Sequence, residues 1–343
     1  MHSTLNFCAR VLLTLARRHT ALSVFPRNSA QIQYLRQMAP ANISASCVPS
    51  PSACDFRSDT VTTPTPSMLR AMVSSSVGDD VYQEDTTTSS FEQQIAMLLG
   101  HEAGLFVSSG TMGNQLALRS LLMRPPHSVL CDYRAHIAVA EAGGASSLSQ
   151  AMLQLVVPKN GIYATLEDIK DSITLSDDIH TSPTKVISLE NPLGGSILPL
   201  MEIQKISSFA RQHGVKLHLD GARLWNAVAA GAGTLEEYGR CFDTVSVCFS
   251  KGLGAPIGSI LVGNEELIRY ARWVRKSIGG GMRQVGLIVA AARAAYEDVF
   301  PTGLLESHDR HLHGGLEYGQ YFLSTPPCSS LTWGRPAFWT PGW

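Results

Sequence analysis

Acidic residues are missing from the start of this chain. None of the first 54 residues is Asp or Glu, although Arg10, Arg17, Arg18, Arg27 and Arg36 all stand there. Cys8, Val11, Leu12 and Leu15 recur at helical spacing on one face, with Arg10, Thr14 and Arg17 on the other. An acid-free, Arg-bearing amphipathic start is the pattern of a mitochondrial transit peptide. The apolar stretch from Val11 to Ala16 is short for a secretory signal and is broken by Thr14. Residues 1–54 are therefore expected to be a presequence and linker, with the Ser- and Pro-rich stretch 44–53 leading into folded structure near Asp55. Met38 offers an internal start and with it a cytoplasmic form.

Charge is scarce throughout, at 16% Asp, Glu, Lys and Arg with a formal net charge of −1. Nothing in that balance calls for nucleic acid or an acidic membrane surface as a partner. No run is long and apolar enough to span a bilayer, so no membrane partner is expected either. The seven cysteines are odd in number and match no zinc-ligand spacing, which favours free thiols and no bound metal. There is no complete GxGxxG and no Walker lysine, which argues against dinucleotides and nucleoside triphosphates.

What is present, from Pro66 to about Phe300, is an alternation of strand and helix patterns. Short apolar strands are predicted at 105–108, 128–131, 153–157, 185–189, 215–219, 244–249 and 259–262. Helices are predicted at 111–122 and 200–213, the latter with Ile203, Ile206 and Phe209 on one face. Such alternation predicts an α/β fold with a mostly parallel sheet and helices on both faces. Ligand sites in these sheets lie at the carboxyl ends of the strands, so polar residues just after strands are the candidates.

Four such places carry chemistry. Lys251 follows the strand 245–249 and precedes Gly252-Leu253-Gly254, where desolvation would free a neutral amine to attack an aldehyde. Asp220 ends the alternating strand 215–219, placed to meet a cationic ring nitrogen, and Arg223 follows within one turn. Gly110, Thr111 and Met112 open a helix directly after a strand, where backbone N–H groups make an anion site. His136 follows the strand ending at Cys131, where an imidazole can stack on a ring and exchange protons. A lysine nucleophile, a carboxylate for a ring nitrogen and an anion site together point to pyridoxal 5'-phosphate. Each feature alone has an ordinary alternative: a solvated loop lysine, a helix cap, a capped loop, a structural histidine.

The order and wording of the motifs resemble the low-specificity L-threonine aldolases. The likeness rests on Arg57-Ser58-Asp59-Thr60-Val61-Thr62, Val77-Gly78-Asp79-Asp80-Val81-Tyr82, the Gly110-Thr111 loop, and His136 with Glu141-Ala142-Gly143-Gly144. It continues through Ser188-Leu189-Glu190-Asn191, residues 217–223, Ser250-Lys251-Gly252-Leu253-Gly254 and Gly279-Gly280-Gly281-Met282-Arg283-Gln284. It runs from about Asp55 to about Phe300. It implies a fold-type-I pyridoxal-phosphate enzyme, a homotetramer built as a dimer of dimers, with a β-hydroxy-α-amino acid as substrate. By that likeness Lys251 holds the cofactor covalently, Asp220 pairs with its ring nitrogen, His136 stacks on the ring, and Gly110, Thr111 and Met112 hold the phosphate. Ser58 and Arg223 bind the substrate carboxylate, and His180 faces the substrate hydroxyl. Tyr82, Lys276 and Arg283 reach a neighbouring subunit's site. The hydroxyl base is left open among His136, His180 and a water.

Serine hydroxymethyltransferases and lyases acting on aromatic amino acids share the lysine and the aspartate, and an inactive cofactor-binding relative is a further alternative. The chain departs from the family at Gln83 and in the loop Asn191-Pro192-Leu193-Gly194-Gly195. Three segments are expected: 1–54, a large cofactor domain 55–300, and an incomplete small C-terminal domain 301–343. The tail after about Pro326 has neither strand nor helix period and is dense in Trp and Pro, so Arg335 is given no site role. Weak or absent threonine cleavage is expected if that domain is incomplete.

Overall fold

The computed structural model describes residues 55 and 57–306. The expected presequence and the tail beyond residue 306 lie outside the described residues. Seven strands form one sheet: β1 (Ala103–Val107), β2 (Ser128–Asp132), β3 (Met152–Val156), β4 (Thr184–Glu190), β5 (Lys216–Gly221), β6 (Thr244–Cys248) and β7 (Ser259–Gly263). Each coincides with a sequence-predicted strand to within two residues. The spatial order is β1-β7-β6-β5-β4-β2-β3.

The parallel pairs are β2 with β3, β2 with β4, β4 with β5, and β5 with β6. Strand β7 runs antiparallel to both β6 and β1. The sheet is thus mostly parallel, as the alternation implies, with one reversed strand. The reversal has a local cause. Only residues 249–258 separate β6 from β7, and that stretch is a loop without a helix, whereas a parallel crossover needs a dozen residues or more. Because β1 and β6 both oppose β7, they run the same way, and the segments leaving β1, β2, β4, β5 and β6 all emerge along one edge.

Strands β2, β6 and β7 are buried along their whole length, which is why they read as continuous apolar runs rather than alternating ones. Strand β3 closes one edge and leaves Met152 and Leu155 exposed. An aromatic cluster packs behind the loop that follows β6. The Phe91 and Phe249 ring centres are 5.0 Å apart, those of Trp225 and Tyr296 are 5.6 Å apart, and Trp225 Nε1 donates to the Cys248 carbonyl at 2.9 Å. Phe249 is fully buried two residues before Lys251, so core packing fixes where that lysine starts.

Candidate active site

The helix Gly110–Leu121 begins just beyond β1. Ser109 caps it, its hydroxyl accepting from the Met112 N–H at 3.1 Å. This leaves neighbouring amides at the helix N-terminus turned toward the carboxyl edge of the sheet, suited to an anion. Gly110 is required there: a Cβ at that position would lie 2.8 Å from Cys248 Sγ and 4.0 Å from Lys251 Nζ. The lysine after β6 and the helix after β1 therefore share one small space. Among the described residues Lys251 Nζ makes no hydrogen bond, and its loop is closed by Gly254 N–H donating to the Lys251 carbonyl at 2.7 Å.

Strand β5 delivers Asp220 to the same space, buried at 4% exposure. Its Oδ1 accepts from the Ala222 N–H at 3.0 Å and its Oδ2 from Asn114 Nδ2 at 2.6 Å. The same amide group donates to Glu141 Oε1 at 2.8 Å, and Gln115 Nε2 donates to Glu141 Oε2 at 2.6 Å. His136 Nδ1 is 2.7 Å from Glu141 Oε1. That hydrogen bond is the main reason the imidazole is held above the usual histidine range, against the opposing effect of burial. A ring nitrogen of His136 and carboxylate oxygens of Glu141 and Asp220 all lie within 4.8 Å of one another. His136 bonds Glu141 directly, and Asp220 is joined to Glu141 through the Asn114 amide.

Glu190 is a third carboxylate in the pocket. It ends β4 directly beside Asp220 in register, and its Oε2 accepts the His136 N–H at 2.8 Å. Burial first, then the neighbouring Asp220 charge, push it up to about 7. It sits where the strand order reverses between β4 and β2, the usual crevice of such sheets. In the sequence Glu190 and Glu141 stand only within longer motifs, and Asn114 stands inside a predicted helix. The position of Glu190 at a strand end was the one available signal.

The remaining predicted residues divide into groups. Arg223 is half-buried and clamped by Asp59, with Nε to Oδ2 and Nη2 to Oδ1 both at 2.6 Å. Two of its three guanidinium nitrogens are thus already used, and the sequence had not suggested that Asp59 would take them. Ser58 is brought beside it by that clamp, its hydroxyl accepting from Thr60. Tyr82 and Lys276 line a separate exposed groove with Val81, Arg269, Trp273 and Gly281. Arg283 lies nearby with Nε 3.0 Å from Asp79 Oδ2. This groove adjoins the anion site, since a Cβ on Gly280 would come within 3.0 Å of the Met112 methyl group. His180 lies in the 173–183 loop with its side chain 83% exposed and Nδ1 2.7 Å from Asp178 Oδ1, and no hydrogen bond joins it to the pocket.

Residues 55–316 match the family model described as beta-eliminating lyase. The chain belongs to that family. It is 50% identical over 258 residues to the low-specificity L-threonine aldolase of Saccharomyces cerevisiae, covering 75% of this chain and 67% of that one. It is 53% identical over 294 residues to aldolase vrtJ of Penicillium aethiopicum, covering 83% and 74%. It is also 49% identical over 255 residues to alanine racemase TOXG of Cochliobolus carbonum, covering 74% and 66%. Among solved structures, the threonine aldolase of Leishmania major superposes with a TM-score of 0.64 at 24% identity, covering 75% of each chain. The α/β sheet is thus the fold-type-I arrangement of the beta-eliminating lyase family, whose members include threonine aldolases.

Proposed function

We propose that this beta-eliminating lyase relative is a pyridoxal-phosphate-dependent aldehyde-lyase that cleaves L-threonine and L-allo-threonine to glycine and acetaldehyde. The observation that carries the reading is the meeting of Lys251, Asp220 and His136 beside the N-terminus of the Gly110–Leu121 helix. The residues fit the cofactor: an unbonded amine for its aldehyde, amides at a helix start for its phosphate, and a buried carboxylate for its ring nitrogen. When bound, pyridoxal phosphate supplies an electron sink for the electron pair left at Cα as the Cα–Cβ bond breaks.

The chain's own groups do the rest. Asp220 holds a proton at the ring nitrogen. Glu141 accepts the Nδ1 hydrogen of His136 and makes the imidazole more basic, so that Nε2 is the position that takes a proton from the β-hydroxyl. Arg223 meets the substrate carboxylate through its remaining nitrogen, with Asp59 fixing the plane of the guanidinium. The Tyr82, Lys276 and Arg283 groove faces a second copy in a homotetramer.

Reduction of the loaded protein with borohydride, followed by peptide mapping, should label Lys251. Lys251→Ala should lose both the label and acetaldehyde release from threonine. A label on another lysine would sink the assignment. Racemisation of alanine without acetaldehyde would move the chain toward the racemase-named relative.

A further inference from the structure

Behind Asp220 runs a hydrogen-bond chain whose direction is forced by the chemistry at its end. An ionised carboxylate only accepts. Asn114 lies 2.6 Å from Asp220 Oδ2 and 2.8 Å from Glu141 Oε1 through one atom. That atom must be the amide nitrogen, and both of its hydrogens are thereby used. The amide oxygen faces the other way and can only accept. At 3.0 Å from it stands His218 Nε2, which must therefore carry a hydrogen. His218 is fully buried on β5, and burial holds it down to about 4, so the ring is neutral near pH 7. Nδ1 is then bare, and Thr244 Oγ1 on β6, at 2.9 Å, must donate to it.

Asn114, His218 and Thr244 are all 1% exposed or less. The Asn114–His218 link spans 104 residues of sequence and the His218–Thr244 link 26. A buried polar chain of this kind is costly unless every member is satisfied, and here each link has a donor and an acceptor. Reversal of the Asn114 amide would set its oxygen against both carboxylates and its nitrogen against the His218 N–H. The relay prevents this.

We propose that Thr244, His218 and Asn114 are a positioning relay, fixed in the Nε2–H tautomer of His218, that keeps the Asn114 amide turned to Asp220 and Glu141 and so sets the charge presented to the cofactor ring nitrogen. What Asp220 acts on rests on the function proposed above; the direction of the relay does not.

The test is nitrogen-15 NMR of the full chain labelled at histidine, with and without pyridoxal phosphate. His218 should show a protonated Nε2 and a bare Nδ1 at neutral pH. The opposite tautomer, or an imidazolium, overturns the relay whatever the enzyme does. Thr244→Val should leave Nδ1 without a donor, move the Nδ1 resonance of the still neutral ring, and shift the pH profile of the bound cofactor's absorbance. It should lower kcat about ten-fold, as loss of one buried hydrogen bond would, with KM little changed. Thr244→Ser keeps the hydroxyl and should restore all three. Equal behaviour of the Val and Ser variants, with wild-type Nδ1 resonance and absorbance profile, would show that Thr244 only packs. Should the predicted tautomer be found while Lys251 takes no borohydride label, the functional reading fails and the relay stands.

Discussion

Two buried charge clusters, one bonded to β1 and the other gathered at the ends of β4 and β5, are completed in different ways. In the first, Asp80 and Arg275 pair at 2.6 Å with both side chains 2% exposed. Arg272 reaches Asp80 at 3.5 Å and Glu92 at 2.8 Å. Arg275 Nη1 donates to the Phe106 carbonyl, and Glu92 Oε1 accepts the Phe106 N–H. Two anions meet two cations, and both also grip β1. In the second, Asp220, Glu141 and Glu190 are held by Asn114, Gln115, backbone amides and one half-exposed imidazole. Neutral donors satisfy the lone pairs without cancelling the charge. The difference separates architecture from chemistry: balanced charges fix loops, whereas carboxylates supported by neutral donors still favour a cationic group beside them. The balanced cluster also serves the site, because Asp80 N–H donates to the Arg283 carbonyl and so ties the 79–83 loop to the 279–283 loop.

The comparison breaks most visibly at the balanced cluster. Arg275→Met should strand Asp80 without its partner and cost about 3–5 kcal/mol of stability, as removing one member of a buried pair does. Urea unfolding of the cofactor-free chain measures this. A loss below about 1 kcal/mol would show that the cluster is open to water and that the contrast is false.

The sequence carried the strands and the strand-end residues, and the reason is local. Apolar runs and the small residues after them read directly as elements, so Lys251, Asp220, His136 and Gly110 were legible one by one. What was not legible depends on distant partners. Asn114 sits inside a helix and His218 inside a strand, where both look like ordinary interior residues. Their roles come from contacts 104 and 106 positions apart. Asp59 reads as loop text until it meets Arg223 across 164 positions. The reversed direction of β7 follows from the helix-free loop 249–258, a signal that strand alternation alone does not supply.

The carboxylate cluster should respond with the opposite sign. Glu190 is raised to about 7 in the folded chain by burial and by Asp220, from an ordinary value of 4.5. Between those values the folded state binds the extra proton, so stability falls as pH rises, and the full penalty is present above pH 7. Glu190→Gln should therefore stabilise the cofactor-free protein on the order of 1–3 kcal/mol at pH 8 and have almost no effect near pH 4. Thermal melts across that range give the answer. Destabilisation at pH 8 would mean that Glu190 is held as a paired anion and belongs with the balanced cluster.

The smallest effect on stability is expected at the boundary between the two kinds of site, the Asp59–Arg223 pair. Its geometry is bidentate, but the arginine side chain is 40% exposed, so solvent screens the attraction. Asp59→Asn should then cost well under about 1 kcal/mol of stability. The functional effect should be larger than the structural one, because Asp59 orients the guanidinium expected to meet the substrate carboxylate. A freed guanidinium samples more directions, and the loss falls on ground-state and transition-state binding alike. KM for threonine should rise several-fold with kcat nearly constant, the mark of uniform binding lost. Steady-state kinetics at saturating cofactor separates the two parameters. A fall in kcat at unchanged KM would place Asp59 in the chemical step, and no change in either would remove Arg223 from substrate binding.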